Sequence, residues 1–251
     1  MSNFAPAAEA ATKIITCIAQ SEKEVGISEI SRIVDLNKNM VFRILNSLES
    51  VGWVYCNEQK YGLTLLPFQL SSSALSRMNL NTASLPVLYE LLNLAGECTY
   101  LGVLHQDKVL YLQHLDGLKD VRVAGRVGGT YDLHCSAPGK VLLAYAEPEF
   151  IEEYAGRSHE KRTANTLTKK ETLLSHLETV RTQGYATDCE EFGSGITCVA
   201  APIFDYTGKV VAAIGCSAFT PDGDHEKIIS QLQPKVCAAA QKISIRLGAG
   251  G

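Results

Sequence analysis

Two short apolar stripes, a polar turn and a pair of alternating runs fill residues 26–63, GISEISRIVDLNKNMVFRILNSLESVGWVYCNEQKYGL. Ile30, Ile33 and Val34 fall on one face of a first predicted helix. In a second, Val41, Ile44, Leu45, Leu48 and Val51 recur at steps of three and one, a full amphipathic stripe. Asp35-Leu36-Asn37 joins the two, with Asn37 placed to cap the second helix. After Gly52, the runs Trp53-Val54-Tyr55 and Tyr61-Gly62-Leu63 read as strands around a polar tip, Asn57-Glu58-Gln59-Lys60. That order is what a winged helix-turn-helix needs. The far side of the second helix shows Lys38, Asn39, Phe42, Arg43, Asn46 and Ser50, and its only carboxylate is Glu49. Cations and amides of this kind reach phosphates and base edges. The candidate DNA contacts are therefore Asn37, Lys38, Asn39, Met40, Phe42 and Arg43, with Lys60 from the wing. Helix-turn-helix pairs also occur as plain packing units, so the segment alone leaves that reading open.

On either side the pattern differs. Residues 1–20 read as a helix whose Ile14, Ile15 and Ile18 pack on the two helices above, and 64–82 as a connecting helix. From 83 onward a helix at Leu85–Ala95 precedes strands at Thr99–Leu104 and Val109–His114, with a third expected at Val121–Ala124. Helices follow around 138–156 and at 169–183, the latter announced by a capping box from Thr168 to Glu171. Strands Ile196–Phe204 and Lys209–Phe219 flank the turn Asp205-Tyr206-Thr207-Gly208, and a last amphipathic helix spans about 224–247. Consecutive hairpins with helices bunched between them predict an α+β fold with an antiparallel sheet. The expected domains are 1–67 for the winged helix-turn-helix, 68–82 for a linker helix and 83–251 for a second domain.

Charge weakens any argument from bulk electrostatics. Residues 1–82 hold seven Lys/Arg against seven Asp/Glu, and the remainder supplies the net −4 of the 251-residue chain. DNA binding must then rest on the local placement of Lys38, Arg43 and Lys60 and on doubling the site through dimerisation. No apolar run approaches the roughly 18–20 residues a membrane helix requires. The first residues lack a basic start and carry Glu9 and Lys13, unlike a signal peptide. The eight cysteines have no C-x-x-C spacing, so reduced thiols in a cytoplasmic protein are expected.

Three later segments are unusual. Leu133-His134-Cys135-Ser136-Ala137-Pro138-Gly139-Lys140 is a small-residue turn opening into a helix, where backbone N–H groups make an anion site or simply a tight helix entry. Asp188–Cys198 is an acidic loop with two glycines feeding a buried strand, in which Cys198 also reads as plain core. In Ile214-Gly215-Cys216-Ser217-Ala218, small and polar residues interrupt an apolar strand, as where a ligand or backbone approaches closely. His134 beside Cys135 evokes a thiol nucleophile, but neighbours on a strand point to opposite faces. There is no phosphate-loop, zinc or nucleophile-elbow spacing, so neither an enzyme nor a resident cofactor is expected.

Together the pieces resemble the IclR family of bacterial transcriptional regulators over nearly the whole chain. The resemblance is carried by Gly26–Val54, by Leu133–Ala144 and by Arg181–Ser217, the last with Gly184-Tyr185-Ala186, Glu190-Glu191, Gly195–Pro202 and Gly208–Ile214 in family order and spacing. It implies a GAF-like, profilin-like effector-binding domain and a homodimer or homotetramer on a palindromic operator in double-stranded DNA. It also implies control of catabolic genes, with repression the expected mode, in response to a small organic acid. Carried over by motif, the effector site falls on Ala137, Pro138, Gly139, Asp188, Ile196, Cys198, Gly215 and Ser217. Three features depart from the pattern. Asn39-Met40 stands where the recognition helix usually begins with a Ser-Thr pair, Gly215 stands where some members have serine, and Pro138 removes a backbone donor. The latter two point to a larger or less acidic ligand than a two-carbon keto acid. The alternative is a small-molecule-processing enzyme with an accessory winged-helix dimerisation domain.

Overall fold

The computed structural model describes residues 5–21, 23–67, 69–70, 80–121 and 123–250. The chain divides into two compact units, Met1–Arg77 and Met78–Gly251. Much of the expected linker helix (68 and 71–79) lies outside the described residues.

In the first unit, α1 (Pro6–Gln20) packs on α2 (Ile27–Ile33) and α3 (Lys38–Ser50). Ile14 and Ile18 join Ile30, Val41, Leu45 and Leu48 in one core, with Ile15 and Ile44 half-buried at its edge. Asn37 caps α3 as its sequence predicts, its Oδ1 accepting from Met40 N at 2.9 Å. Two predicted core positions are solvent-facing instead: Ile33 is 56% exposed and Val51 60%. Both sit where a helix ends, and in α2 the next residue, Val34, turns back onto the core. The wing strands β2 (Val54–Asn57) and β3 (Lys60–Leu63) are longer than expected, which leaves a two-residue tip. Glu58 and Gln59 both take left-handed backbone there, φ 48° and 63°, as a tight hairpin of right-handed twist demands. A short strand that periodicity misses, β1 (Val25–Gly26), adds to β3 and gives the order β1-β3-β2.

The second unit is a six-stranded antiparallel sheet with helices on both faces. Its strands are β4 (Cys98–His105), β5 (Lys108–Leu115), β6 (Thr130–Asp132), β7 (Ala186–Cys189), β8 (Ile196–Phe204) and β9 (Val210–Phe219), in the order β6-β5-β4-β9-β8-β7. One face packs on α4 (Leu80–Ala95) and α8 (His225–Arg246), burying Leu101, Val199, Ala201, Ile203, Ile214 and Cys216. The other packs on α5 (Ala137–Ala144), α6 (Pro148–Ala155) and α7 (Lys170–Gln183). Helix α4 starts at Leu80, ahead of the predicted Leu85, and accommodates Pro86 in its second turn.

Three expectations are corrected. No strand forms at 121–124: among the described residues there, Val123 and Ala124 are irregular, and the third strand is β6. Asp188 and Cys189 belong to the edge strand β7 and not to a loop. The capping box at Thr168 does not form. Lys169 takes the extended cap conformation and makes no side-chain cap bond, so Glu171 serves only as a carboxylate in the first turn.

Candidate functional site

On the first unit, Asn37, Lys38, Asn39, Phe42 and Arg43 are exposed along the open side of α3, Met40 is half-buried, and Lys60 is exposed at the start of β3. Phe42 is 48% exposed, large for a ring with no packing partner in the core. The helix thus offers two cations and a ring, supported beneath by Val41, Leu45 and Leu48.

On the second unit a small, partly open cavity of about 30 Å³ lies between the sheet and α5. Of the eight residues carried over by motif, Pro138, Asp188, Ile196, Cys198 and Ser217 line it. Alternation explains the grouping: Cys198 pairs with Ser217 across β8 and β9 and with Asp188 across β7 and β8. The Cys198 and Ser217 side chains are hydrogen-bonded at 3.0 Å. Ala137, Gly139 and Gly215 are buried nearby without lining the cavity. A β-carbon on Gly139 would stand 2.5 Å from Leu133 Cα, so this glycine permits the tight turn beneath the cavity. At Gly215 a β-carbon would meet the Tyr100 hydroxyl at 2.5 Å, so the missing side chain makes room for Tyr100, not for a larger ligand. Ser136, the α5 cap, holds Gly139 N at 3.3 Å and donates to Asp132 O at 2.6 Å, which occupies one of the N–H groups expected to face an anion.

Asp188 is 1% exposed. Its Oδ1 accepts from Glu191 N at 2.7 Å and Phe192 N at 3.2 Å, leaving Oδ2 enclosed without an oxygen or nitrogen donor. Burial raises its carboxyl above the ordinary carboxylate range, against the Lys140 charge and these backbone donors. The Tyr100 hydroxyl is likewise enclosed and unpartnered. Behind Asp188, the wholly buried Lys140 is ion-paired with Glu191. Burial lifts Glu191 to about 7, with Lys140 opposing.

Sequence reasoning missed the aromatic wall. Tyr100 stacks on Tyr111 with ring centres 4.8 Å apart, Tyr111 leans on Tyr131 at 4.2 Å, and Tyr131 meets Phe192 edge-on at 5.7 Å. Arg162 lies 4.8 Å over the Phe192 ring and is fixed by Asp132 at 2.6 and 2.9 Å. A β-bulge on β5 is the reason. Register shifts between Leu101 and Gly102, which pair with Gln113 and Tyr111, so Leu112 is extra. Tyr111 and His114, three residues apart, therefore line the same cavity. Val123, Ala124 and Gly125 complete the wall from irregular backbone.

The histidine–cysteine pair is no nucleophile. His134 and Cys135 lie in the turn before α5 rather than on a strand. His134 bonds Tyr154 at 3.3 Å and Glu160 O at 3.1 Å, while burial pushes the Cys135 thiol up to about 12.

Comparison with known proteins fits this arrangement. The family profile described as "Bacterial transcriptional regulator IclR C-terminal" matches residues 72–245, and "IclR helix-turn-helix domain" matches 7–57. The HTH-type transcriptional regulator KdgR of Dickeya chrysanthemi is 36% identical over 234 residues, covering 90% of this chain and 75% of its own. A crystal structure of an IclR-type regulator from a Silicibacter species superposes with a TM-score of 0.81 at 26% identity, covering 97% of this chain and 96% of that one. An IclR homologue from Microbacterium hydrocarbonoxydans, complexed with 4-hydroxybenzoate, matches with a TM-score of 0.60 at 25% identity over 96% of this chain and 98% of its own. With the IclR helix-turn-helix and IclR C-terminal profiles in sequence along it, the chain belongs to the IclR family of HTH-type bacterial transcriptional regulators.

Proposed function

We propose that the protein represses a catabolic operon and is released or retuned when a small organic acid enters the second unit, without catalysing a reaction on it. The observation that carries the reading is a pair of enclosed polar atoms without an oxygen or nitrogen partner, Asp188 Oδ2 (its carboxyl also meets the Cys198 thiol) and the Tyr100 hydroxyl, beside stacked rings. A buried polar group without a partner costs about 1–3 kcal/mol, which a ligand hydroxyl or carbonyl recovers on binding. The Microbacterium relative's 4-hydroxybenzoate combines a ring, a hydroxyl and an acid, and a hydroxy acid, sugar acid or hydroxylated aromatic acid suits this wall. About 30 Å³ holds little more than one water, so binding displaces a wall. The Val123–Gly125 stretch lies outside the strand ladder and is the wall we expect to move.

DNA contact falls to Asn37, Lys38, Asn39, Met40, Phe42, Arg43 and Lys60, and the effector contact to the pocket around Pro138, Asp188, Ile196, Cys198 and Ser217. Because the first 82 residues carry no net charge, two copies reading two half-sites of a palindromic operator supply the affinity one copy lacks. A homodimer or homotetramer in the cytoplasm follows.

Two variants in a gel-shift titration at fixed salt test the reading. Arg43→Ala weakens operator binding by about 1–3 kcal/mol and leaves effector binding intact. Ser217→Leu keeps operator binding and abolishes the response to the effector. A Ser217→Leu protein that responds at wild-type effector concentration sinks the pocket assignment.

A further inference from the structure

We infer that Cys98, His114 and Asp116 form a binding site for one divalent ion of the zinc class, on the sheet face that carries the cavity. The donor atoms of the three lie within 4.8 Å of one another, and His114 Nδ1 stands 3.7 Å from Asp116 Oδ1. No sequence spacing announces them, because Cys98 meets the other two only across the pairing of β4 with β5. His114 pairs with Tyr100, and Asp116 follows the end of β5 one residue after the Thr99–Leu115 pair, which brings both to the Cys98 end of β4.

A thiolate, an imidazole and a carboxylate make a borderline-soft set that suits Zn²⁺ and not Mg²⁺ or Ca²⁺, which take oxygen throughout. Cys98 is buried and His114 half-buried while the Asp116 side chain is 62% exposed, so an ion has a way in and a fourth position for water. Metal bonds of about 2.0–2.3 Å set donors roughly 3–4 Å apart. The histidine–aspartate pair already meets this, and no pair among the three exceeds it by more than about 1 Å.

The surroundings are built for the same end. Gly117 N donates to Cys98 Sγ at 3.2 Å, the outer-shell N–H that steadies a thiolate ligand. His114 Nε2 lies 2.3 Å from where a Gly125 β-carbon would stand, so only glycine fits there and Nδ1 is the nitrogen left for the ion. On binding, the Cys98 S–H bond breaks, its proton passes to water and a metal–sulfur bond replaces its contact with Val123 O at 3.1 Å. His114 gives the Nδ1 lone pair as the neutral ring. Since His114 also lines the cavity, a bound ion fixes one of its walls. The site stands whether or not the cavity takes an effector.

Cobalt titration of the full-length, chelator-stripped protein under reducing, oxygen-free conditions is the test. Expected are a thiolate-to-cobalt charge-transfer band that saturates at one equivalent and is displaced by Zn²⁺, and release of a proton. Cys98→Ser removes the band and Cys56→Ser, at an exposed thiol, leaves it. Asp116→Asn sits on the surface and leaves the fold untouched, and it lowers cobalt affinity about tenfold or more. Absence of the band in the wild type, its persistence in Cys98→Ser, or unchanged affinity in Asp116→Asn overturns the site.

Discussion

The two faces of the six-stranded sheet use alternate residues of the same strands for opposite ends. Toward α4 and α8, Val199, Ala201 and Ile203 of β8 lie beside Ile214, Cys216 and Ala218 of β9. Toward α5, the intervening positions are Cys198 and Ala200, then Ala213, Gly215 and Ser217. The first set is apolar, with Val199, Ile203 and Ile214 as its branched members, and it fills space. The second is small or polar, leaving room for Tyr100, Asp188 and a cavity. One face is held by burial at about 25 cal/mol per Å². The other keeps a buried ion pair and unpaired polar atoms whose cost the first must offset. A sensor needs that imbalance, because a fully satisfied interior leaves nothing for a ligand to improve.

The largest break is expected at Lys140→Met. It strands the buried Glu191 carboxylate, whose Oε2 already has no partner, and costs about 3–5 kcal/mol at pH 8 by urea denaturation. Glu191 is raised to about 7 in the fold against an ordinary 4.5. A raised carboxyl contributes stability that is full below the unfolded value and lost as pH rises through the folded one. Wild-type stability therefore falls between about pH 4.5 and 7 on this account, and Glu191→Gln flattens that slope. The Lys140→Met penalty correspondingly shrinks toward pH 5, where Glu191 takes a proton. A penalty independent of pH would mean that packing, not charge, holds this side.

Next in size is Ile214→Ala on the opposite face. Ile214 is wholly buried beside Leu101, with which it pairs across β4 and β9, and its truncation costs about 3 kcal/mol at every pH. The folded fraction should still answer the effector. Loss of the response in protein that is folded by near-UV circular dichroism would show that the faces are not independent.

How much of this the sequence discloses follows from how local each feature is. The DNA face lies on one helix, so a single period places Lys38, Phe42 and Arg43 outward and Val41 and Leu45 inward. Even the cap at Asn37 is readable, since it involves residues three apart. The cavity draws on β4, β5, β6, β7, β8, β9 and α5, and only the family motif joined Asp188 to Ser217. Nothing in the sequence singles out Tyr100, Tyr111 and Tyr131, and plain alternation puts Tyr111 and His114 on opposite faces until the bulge at Leu112 brings them together. Gly215 misled for a different reason. A missing side chain marks close approach, but nothing local says whether a ligand or a tyrosine hydroxyl does the approaching.

The smallest effect on stability and the sharpest on function are expected together, at Asp188→Asn. The amide oxygen can still accept from Glu191 N and Phe192 N, so the turn after β7 keeps both bonds. The substitution removes a carboxyl that burial has already raised, and such a group loses stability as pH rises, so neutral pH is where its removal helps most. The change in unfolding free energy at pH 7 is then within about 1 kcal/mol, of either sign. Ligand recognition differs. An amide nitrogen in place of Oδ2 is a donor where the wild type accepts, so a ligand hydroxyl that donates to Asp188 loses its acceptor and meets an opposed dipole. Affinity for a hydroxy acid falls about tenfold or more, equivalent to roughly 1–3 kcal/mol, in isothermal titration. An analogue with a carbonyl at that position binds the variant better than the wild type. If both ligands bind variant and wild type alike, Asp188 is only the anchor of its turn, and the polar face owes its function to the aromatic wall.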